Sequence, residues 1–231
     1  MNDEEILSRC SLFEGMDEDS LDMMLGCLGT RTSFYKKNDV LLAEGEPARR
    51  VGVLLSGRLE LVRSDAQGNR SIMASLEPGE LFGEAFACAQ VESMPLSIVA
   101  AADCRVMLME LGRMMTTCSH ACVFHRQLIM NLLKTVARKN LALHRKAEIT
   151  AHRTTREKLV AYLNTVARET GSQSFSIPFD RQALADYLGV DRSAMSAELS
   201  KMKKDGLIDY RKNEFLILDQ SKECEGDEYQ G

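Results

Sequence analysis

The hydrophobic period of this chain changes between about residues 110 and 119, and that change confines the fold to a segregated α+β arrangement. From Thr30 to about Glu110 the apolar residues come in short runs: Val40–Leu42, Val51–Leu55, Leu59–Val62, Ser71–Ala74, Ser97–Ala100 and Arg105–Met109. Between them lie Glu44-Gly45-Glu46-Pro47, Ser56-Gly57-Arg58, Asp65-Ala66-Gln67-Gly68-Asn69 and Glu77-Pro78-Gly79-Glu80. Runs bounded by such turn residues are antiparallel strands of a sandwich or barrel. A short helical lead-in over residues 4–29 precedes them, with Leu7, Leu12, Phe13, Leu21, Met24, Leu25 and Leu28 as its apolar positions.

Past Ser119 the steps become four and three. Ile129, Leu133, Val136, Asn140, Leu143 and Ala147 form a stripe with the spacing of a two-stranded coiled-coil seam. A helix from Val123 to Ile149 spans about 40 Å at 1.5 Å per residue, which suits a dimer axis. Asn140 would fix register on that seam. Packing of the same stripe against the chain's own β-domain is the other reading, and the spacing leaves both open. Thr154-Thr155-Arg156-Glu157 interrupts the pattern, a helix follows from Glu157 to Glu169, and Thr170–Ser174 makes a surface loop.

The stretch from Pro178 to Phe215 carries the functional signal. Asp180 is an N-cap, Leu184 and Leu188 share one helical face, and Gly189 supplies a residue free to turn with positive φ. Asp191 caps a second helix whose apolar positions, Met195, Leu199 and Met202, leave Arg192, Ser193, Ser196, Ala197 and Ser200 on the opposite side. Two short helices around a glycine turn make a helix-turn-helix. A small, polar outer face lets the second helix approach the floor of a DNA groove, with Arg192 at its start to meet a guanine edge or a phosphate. Arg181, at the start of the first helix, suits a backbone phosphate. Gly206–Leu218 then forms a hairpin wing that adds Arg211 and Lys212. The DNA-facing set is therefore Arg181, Arg192, Ser193, Ser196, Ala197, Ser200, Lys201 and Lys212. The alternative partner for this surface is another protein rather than a duplex.

Net charge is −5, and its distribution decides what that means for nucleic acid. Residues 151–220 hold 11 Lys and Arg against 10 Asp and Glu, while residues 1–150 hold 17 against 20 and residues 221–231 one against four. Acidity lies outside the proposed DNA-binding unit, and phosphate contact must come from clustering at Arg192, Lys201, Lys203, Lys204, Arg211 and Lys212. No apolar run is long enough to cross a bilayer, and the amino end, Met1-Asn2-Asp3-Glu4-Glu5, is acidic where a secretory signal is basic. Seven cysteines spread from Cys10 to Cys224 fit reduced thiols in a cytoplasm. No nucleophile–base set, phosphate loop, dinucleotide fingerprint or paired carboxylates stand at useful spacing, so no catalysis is expected.

Taken in order, Gly45-Glu46-Pro47-Ala48, Val53–Leu61, Pro78-Gly79-Glu80-Leu81-Phe82-Gly83-Glu84, a long helix and the Asp191–Lys204 reader resemble the catabolite-activator/FNR family of bacterial transcription regulators. The resemblance implies an effector-sensing, jelly-roll-like antiparallel β-roll over residues 1–118, a dimerisation helix over 119–150, a winged helix-turn-helix over 151–220 and an acidic tail over 221–231. It implies a cytoplasmic homodimer on a two-fold symmetric duplex site, with RNA polymerase as a further partner through a loop such as Glu169–Ser174. In its cyclic-nucleotide-binding members a Gly-Glu pair, here Gly83 and Glu84, takes the ribose, and an Arg-Ser pair some ten residues on takes the phosphate. That pair falls here on Met94 and Pro95, and the adenine-contacting pair of the long helix on Leu143 and His144. Neither Met94 nor Pro95 neutralises a phosphate, so the expected effector is a small molecule other than cyclic AMP. Cys88, close to Glu84, is a further candidate for that pocket, or for packing.

A second sensor candidate is Cys118-Ser119-His120-Ala121-Cys122-Val123-Phe124-His125. Cys118, His120, Cys122 and His125 suit a metal or a thiol switch, giving a thiol- or metal-responsive regulator. Zinc sites usually add donors from elsewhere in the chain, and buried cysteine also serves as a small hydrophobe. Both readings stand at this point.

Overall fold

The computed structural model describes residues 3–64, 67, 70–116 and 123–218. The chain forms two compact units, Met1–Lys139 and Asn140–Gly231. The first opens with α1 (Asp3–Arg9), a 3-10 turn at Ser11–Phe13 and α2 (Glu18–Leu28). Among the described residues eight strands follow: β1 (Arg31–Tyr35), β2 (Val40–Leu42), β3 (Arg50–Ser56), β4 (Leu59–Ser64), β5 (Arg70–Leu76), β6 (Leu81–Phe82), β7 (Ser97–Ala100) and β8 (Cys104–Glu110). A short α3 (Glu84–Cys88) lies between β6 and β7, and α4 (Leu111–Met115) follows β8.

The strands make two antiparallel sheets of a β-roll, in the orders β1-β8-β3-β6 and β2-β7-β4-β5. Strand β3 sits inside its sheet with Val51 to Leu55 all buried, which explains its unbroken apolar run. Its alternate residues serve two cores. Leu54 joins Val106, Ile98, Leu59 and Phe82. Val51, Val53 and Leu55 turn the other way onto Phe13, Met24, Leu28 and Leu128. Gly52 is needed because a Cβ there would meet the Phe82 ring at 2.1 Å.

Helix α5 runs from Val123 to Ala151. Within this unit Leu128, Asn131, Leu132 and Thr135 are buried, while Leu133 is 61% and, further along, Leu143 68% exposed. Asn140 and Ala147 are exposed too. The stripe of Ile129, Leu133, Val136, Asn140, Leu143 and Ala147 is thus largely open to solvent, which sets aside its packing along the chain's own β-domain and leaves the face free for a second copy. Polar residues hid the face that packs internally. Asn131 Nδ2 donates to the carbonyls of Leu12 (3.0 Å) and Glu14 (2.8 Å), and Thr135 Oγ1 donates to Asn131 O (2.8 Å) and lies 3.0 Å from Ser11 Oγ. These bonds satisfy turn carbonyls that burial would otherwise strand.

In the second unit α6 (Thr155–Thr170) starts on a capping box: Thr154 accepts from Glu157 N and the Glu157 carboxylate accepts from Thr154 N. The interruption at Thr154–Glu157 is therefore a helix start. Strand β9 (Ser174–Ser176) follows, beginning within the stretch expected to be loop, because Phe175 is drawn into the core beside Phe215. Helices α7 (Arg181–Leu188) and α8 (Arg192–Lys204) lead to the hairpin β10 (Ile208–Arg211) and β11 (Glu214–Ile217). The small sheet runs β10-β11-β9, and Leu159, Leu163, Leu184, Leu188, Met195, Leu199 and Met202 fill the space beneath the helices.

Candidate nucleic-acid interface and effector site

Caps and a glycine set the angle of the helix-turn-helix. Asp180 accepts from Ala183 N at 2.8 Å, Gly189 ends α7 with φ +62°, and Asp191 accepts from Ala194 N at 2.9 Å. Hydrogen bonds from Ser193 Oγ and then the Ala194 amide hold the Asp191 carboxyl below its usual range. Met195, Leu199 and Met202 face inward. Arg192, Ser193, Ala197, Ser200 and Lys201 are exposed, and Ser196 is half-buried. The hydroxyls of Ser196 and Ser200 bond back to Arg192 O and Ser196 O at 2.9 Å each, which flattens that face further.

The wing is fastened to the helices by an arginine. The Arg181 guanidinium lies over the rings of Tyr210 (4.9 Å) and Phe215 (5.2 Å) and donates to Lys212 O at 2.7 Å. Burial lowers its pKa, and the half-buried side chain braces the wing. Lys203 pairs with Asp209 and sits over Tyr210. That leaves Arg192, Lys201, Lys204, Arg211 and Lys212, none of which has an ion-pair partner among the described residues. Lys212 holds the hairpin turn at φ +55° with its side chain exposed. On the inner side Arg156 binds Asp205 (2.7 Å) and Glu198 (3.5 Å), which ties α6 to α8.

Gly83 begins α3 with φ +78°, and a Cβ there would stand 2.8 Å from Arg50 O. Glu84 is 3% exposed, and its Oε1 accepts from Lys139 Nζ at 2.6 Å, the ammonium also donating to Leu81 O at 2.9 Å. Lys139 was not legible in the sequence, since nothing in the spacing of α5 aims it at Glu84. Met94 is 2% exposed in the inter-sheet core, with its backbone bonded to Gly45 and Glu46. Pro95 is exposed; Leu143 and His144 are exposed in the second unit. Cys88 is exposed, its thiol pKa raised by partial burial and then by Glu84. Cys118, His120 and Cys122 lie outside the described residues; His125 is buried and faces Cys27.

Two family patterns match the chain in the order this architecture requires. The Cyclic nucleotide-binding domain covers residues 32–121 and the Crp-like helix-turn-helix domain residues 157–222. The chain belongs to the catabolite-activator/FNR family of transcription regulators. Its relatives in this family include the transcriptional activator protein FnrL of Cereibacter sphaeroides, 24% identical over 186 residues, covering 75% of this chain and 71% of that one. The transcriptional activator protein anr of Pseudomonas aeruginosa is 25% identical over 213 residues, 90% of this chain and 83% of that one. Among solved structures, the c-di-GMP responsive global regulator CLP of Xanthomonas campestris shares the fold with a TM-score of 0.51 at 17% identity, over 88% of this chain and all of that one. Catabolite-activator/FNR proteins are DNA-binding transcription regulators, not enzymes. Among the described residues no helix is long and apolar enough to cross a membrane.

Proposed function

We propose that this catabolite-activator/FNR regulator works in the cytoplasm as a homodimer on a two-fold symmetric duplex site, its affinity set by a small effector other than cyclic AMP. The observation that carries the DNA contact is α8: a face of Ser193, Ser196, Ala197 and Ser200 beside unpaired Arg192 and Lys201. Small residues let the helix backbone come close to base edges, and the free cations meet phosphate. Lys204, Arg211 and Lys212 extend the positive rim. Arg181 supports this surface from inside by holding the wing at Lys212. Exposed Met130, Leu133, Leu141 and Leu143 on α5 supply the apolar surface for a second copy. Sensing falls to residues 1–118, pairing to 119–150 and reading to 151–220.

The effector reading rests on Met94 and Glu84. A buried thioether stands where cyclic-nucleotide binders carry their phosphate-binding arginine, and Glu84 is already paired with Lys139. A ligand there would have to displace or recruit Lys139. Polymerase contact through Glu169–Ser174 belongs to the same reading. Electrophoretic retardation of the upstream region of the regulator's own gene tests the DNA contact, with affinity expected to fall steeply as salt rises; absence of any shift at low salt would turn the surface into a protein-binding one. Calorimetric titration with cyclic AMP is expected to give no micromolar binding.

A further inference from the structure

Three arginines from three elements of the first unit surround one cleft. Arg31 opens β1, Arg50 opens β3 and Arg113 sits on α4, and together they line a cavity of about 360 Å³. Strand register gathers the first two. Arg31 lies opposite Leu108 and Arg50 opposite Glu110, and alternate residues of a strand return to one face, so Arg31, Ser33 and Arg50 share a side of the sheet. Farther along β3 that side closes on the Phe82 ring at Gly52, so the arginines stand where the packed core gives out. A glycine places the third. Gly29 ends α2 with φ +60°, and a Cβ there would run into the Arg113 guanidinium.

None of the three guanidiniums has an ion-pair partner among the described residues. Other arginines of the unit do: Arg105 pairs with Asp3 and Arg138 with Glu14. One carboxylate, Glu110, also lines the cleft, yet Arg50 faces it across the ladder without closing to an ion pair. Like charges on a fully solvated surface spread apart into water, whereas here Arg50 is half-buried and Arg113 lies against the Gly29 backbone. Cations held around a concavity focus their field into it and favour an anion there. The volume is that of a small-molecule pocket, toward the lower end of the usual range, so the occupant it suits is a small ion rather than a protein face.

We propose that Arg31, Arg50 and Arg113 bind a small polyanion, one that carries two or more phosphate or carboxylate groups. A guanidinium fork meets either group with paired N–H donors. The Ser33 hydroxyl and the Tyr35 phenol line the same cleft and add neutral donors. Glu110 confines the negative charge to the arginine side. Neither Glu84 nor Lys139 lines this cleft, so its occupancy is separate from that of a ligand near Glu84.

The test is calorimetric titration of the full chain with pyrophosphate and, separately, with citrate, at fixed ionic strength. Expected are one ion per chain and affinity at least about tenfold weaker in Arg31→Gln and in Arg113→Gln; the tighter probe names the phosphate or the carboxylate class. Both variants alter exposed side chains, and circular dichroism melts check their folding. The tighter probe should also raise the melting temperature of the parent and leave that of the double variant unmoved. Arg63→Gln, on β4 of the other sheet and outside the cleft, should bind as the parent does. Absence of binding by both probes overturns the proposal, and an acidic peptide that binds where they do not turns the cleft into a protein contact. Parental affinity in both cleft variants, or equal weakening in Arg63→Gln, overturns it as well. No DNA enters the titration, so a failure here is distinct from a failure of the regulator reading.

Discussion

Arg181 shows how a cation expected at a phosphate can also have partners within its own unit. A cation at the first turn of α7 suits a phosphate, and the side chain folds over Tyr210 and Phe215 and bonds the Lys212 carbonyl. Replacement by alanine should cost about 1–2 kcal/mol of stability through the lost stacking and the bared carbonyl, measured by urea unfolding. Lysine should not rescue it, having no planar fork to stack and bond at once. Arg192 has no such internal partner, so Arg192→Ala should leave stability unchanged and cost about 1–3 kcal/mol of DNA affinity. If Arg192 reads a base, the loss falls on one operator position; an equal loss on every sequence marks a phosphate contact. Cys10, 1% exposed, has its thiol pushed up to about 11 by burial. Its folded pKa lies above the unfolded value near 9, so its contribution is complete below pH 9 and lost as pH climbs to about 11. That is on the order of 2–3 kcal/mol, and Cys10→Ala should flatten this alkaline limb in pH-dependent melts.

At the scale of the element, α5 buries one face and leaves another open. Asn131 and Thr135 belong to the face packed on the amino-terminal turn. Asn131→Leu would bare the carbonyls of Leu12 and Glu14 and should cost about 1–3 kcal/mol, read as a lower unfolding midpoint. Met130, Leu133, Leu141 and Leu143 are left open by that packing. If they form the pairing surface, the double variant Leu133→Lys and Leu143→Lys should sediment as a monomer with the parental circular dichroism spectrum. The long helix itself was legible from its period, whereas its packed stripe was not, because asparagine and threonine at 131 and 135 break the apolar signal. Strand β1 was missed for a similar reason: Arg31-Thr32-Ser33-Phe34-Tyr35 has little apolar content and is held by its register with β8. Helices α7 and α8 were read nearly to the residue, since aspartate caps and Gly189 are local signals that packing did not override.

For the whole molecule, the acidic net charge and the cationic rim of the second unit make opposite demands on DNA binding. Five cations over α8 and the wing, without an ion-pair partner among the described residues, imply that retardation of an operator fragment weakens steeply with salt, by powers of ten between about 50 and 200 mM if most of them meet phosphate. The sequence alone determined the class of fold, the strand-rich half followed by the helical half, and the helix-turn-helix with its small outer face. All of these rest on near-neighbour chemistry: periodicity, caps, glycine turns. Tertiary structure alone decided that Lys139 occupies Glu84, that Arg181 braces the wing, and that Cys27 comes to His125. Each of those pairs joins residues 31 to 98 positions apart, and no local pattern encodes a meeting that only the folded cores bring about.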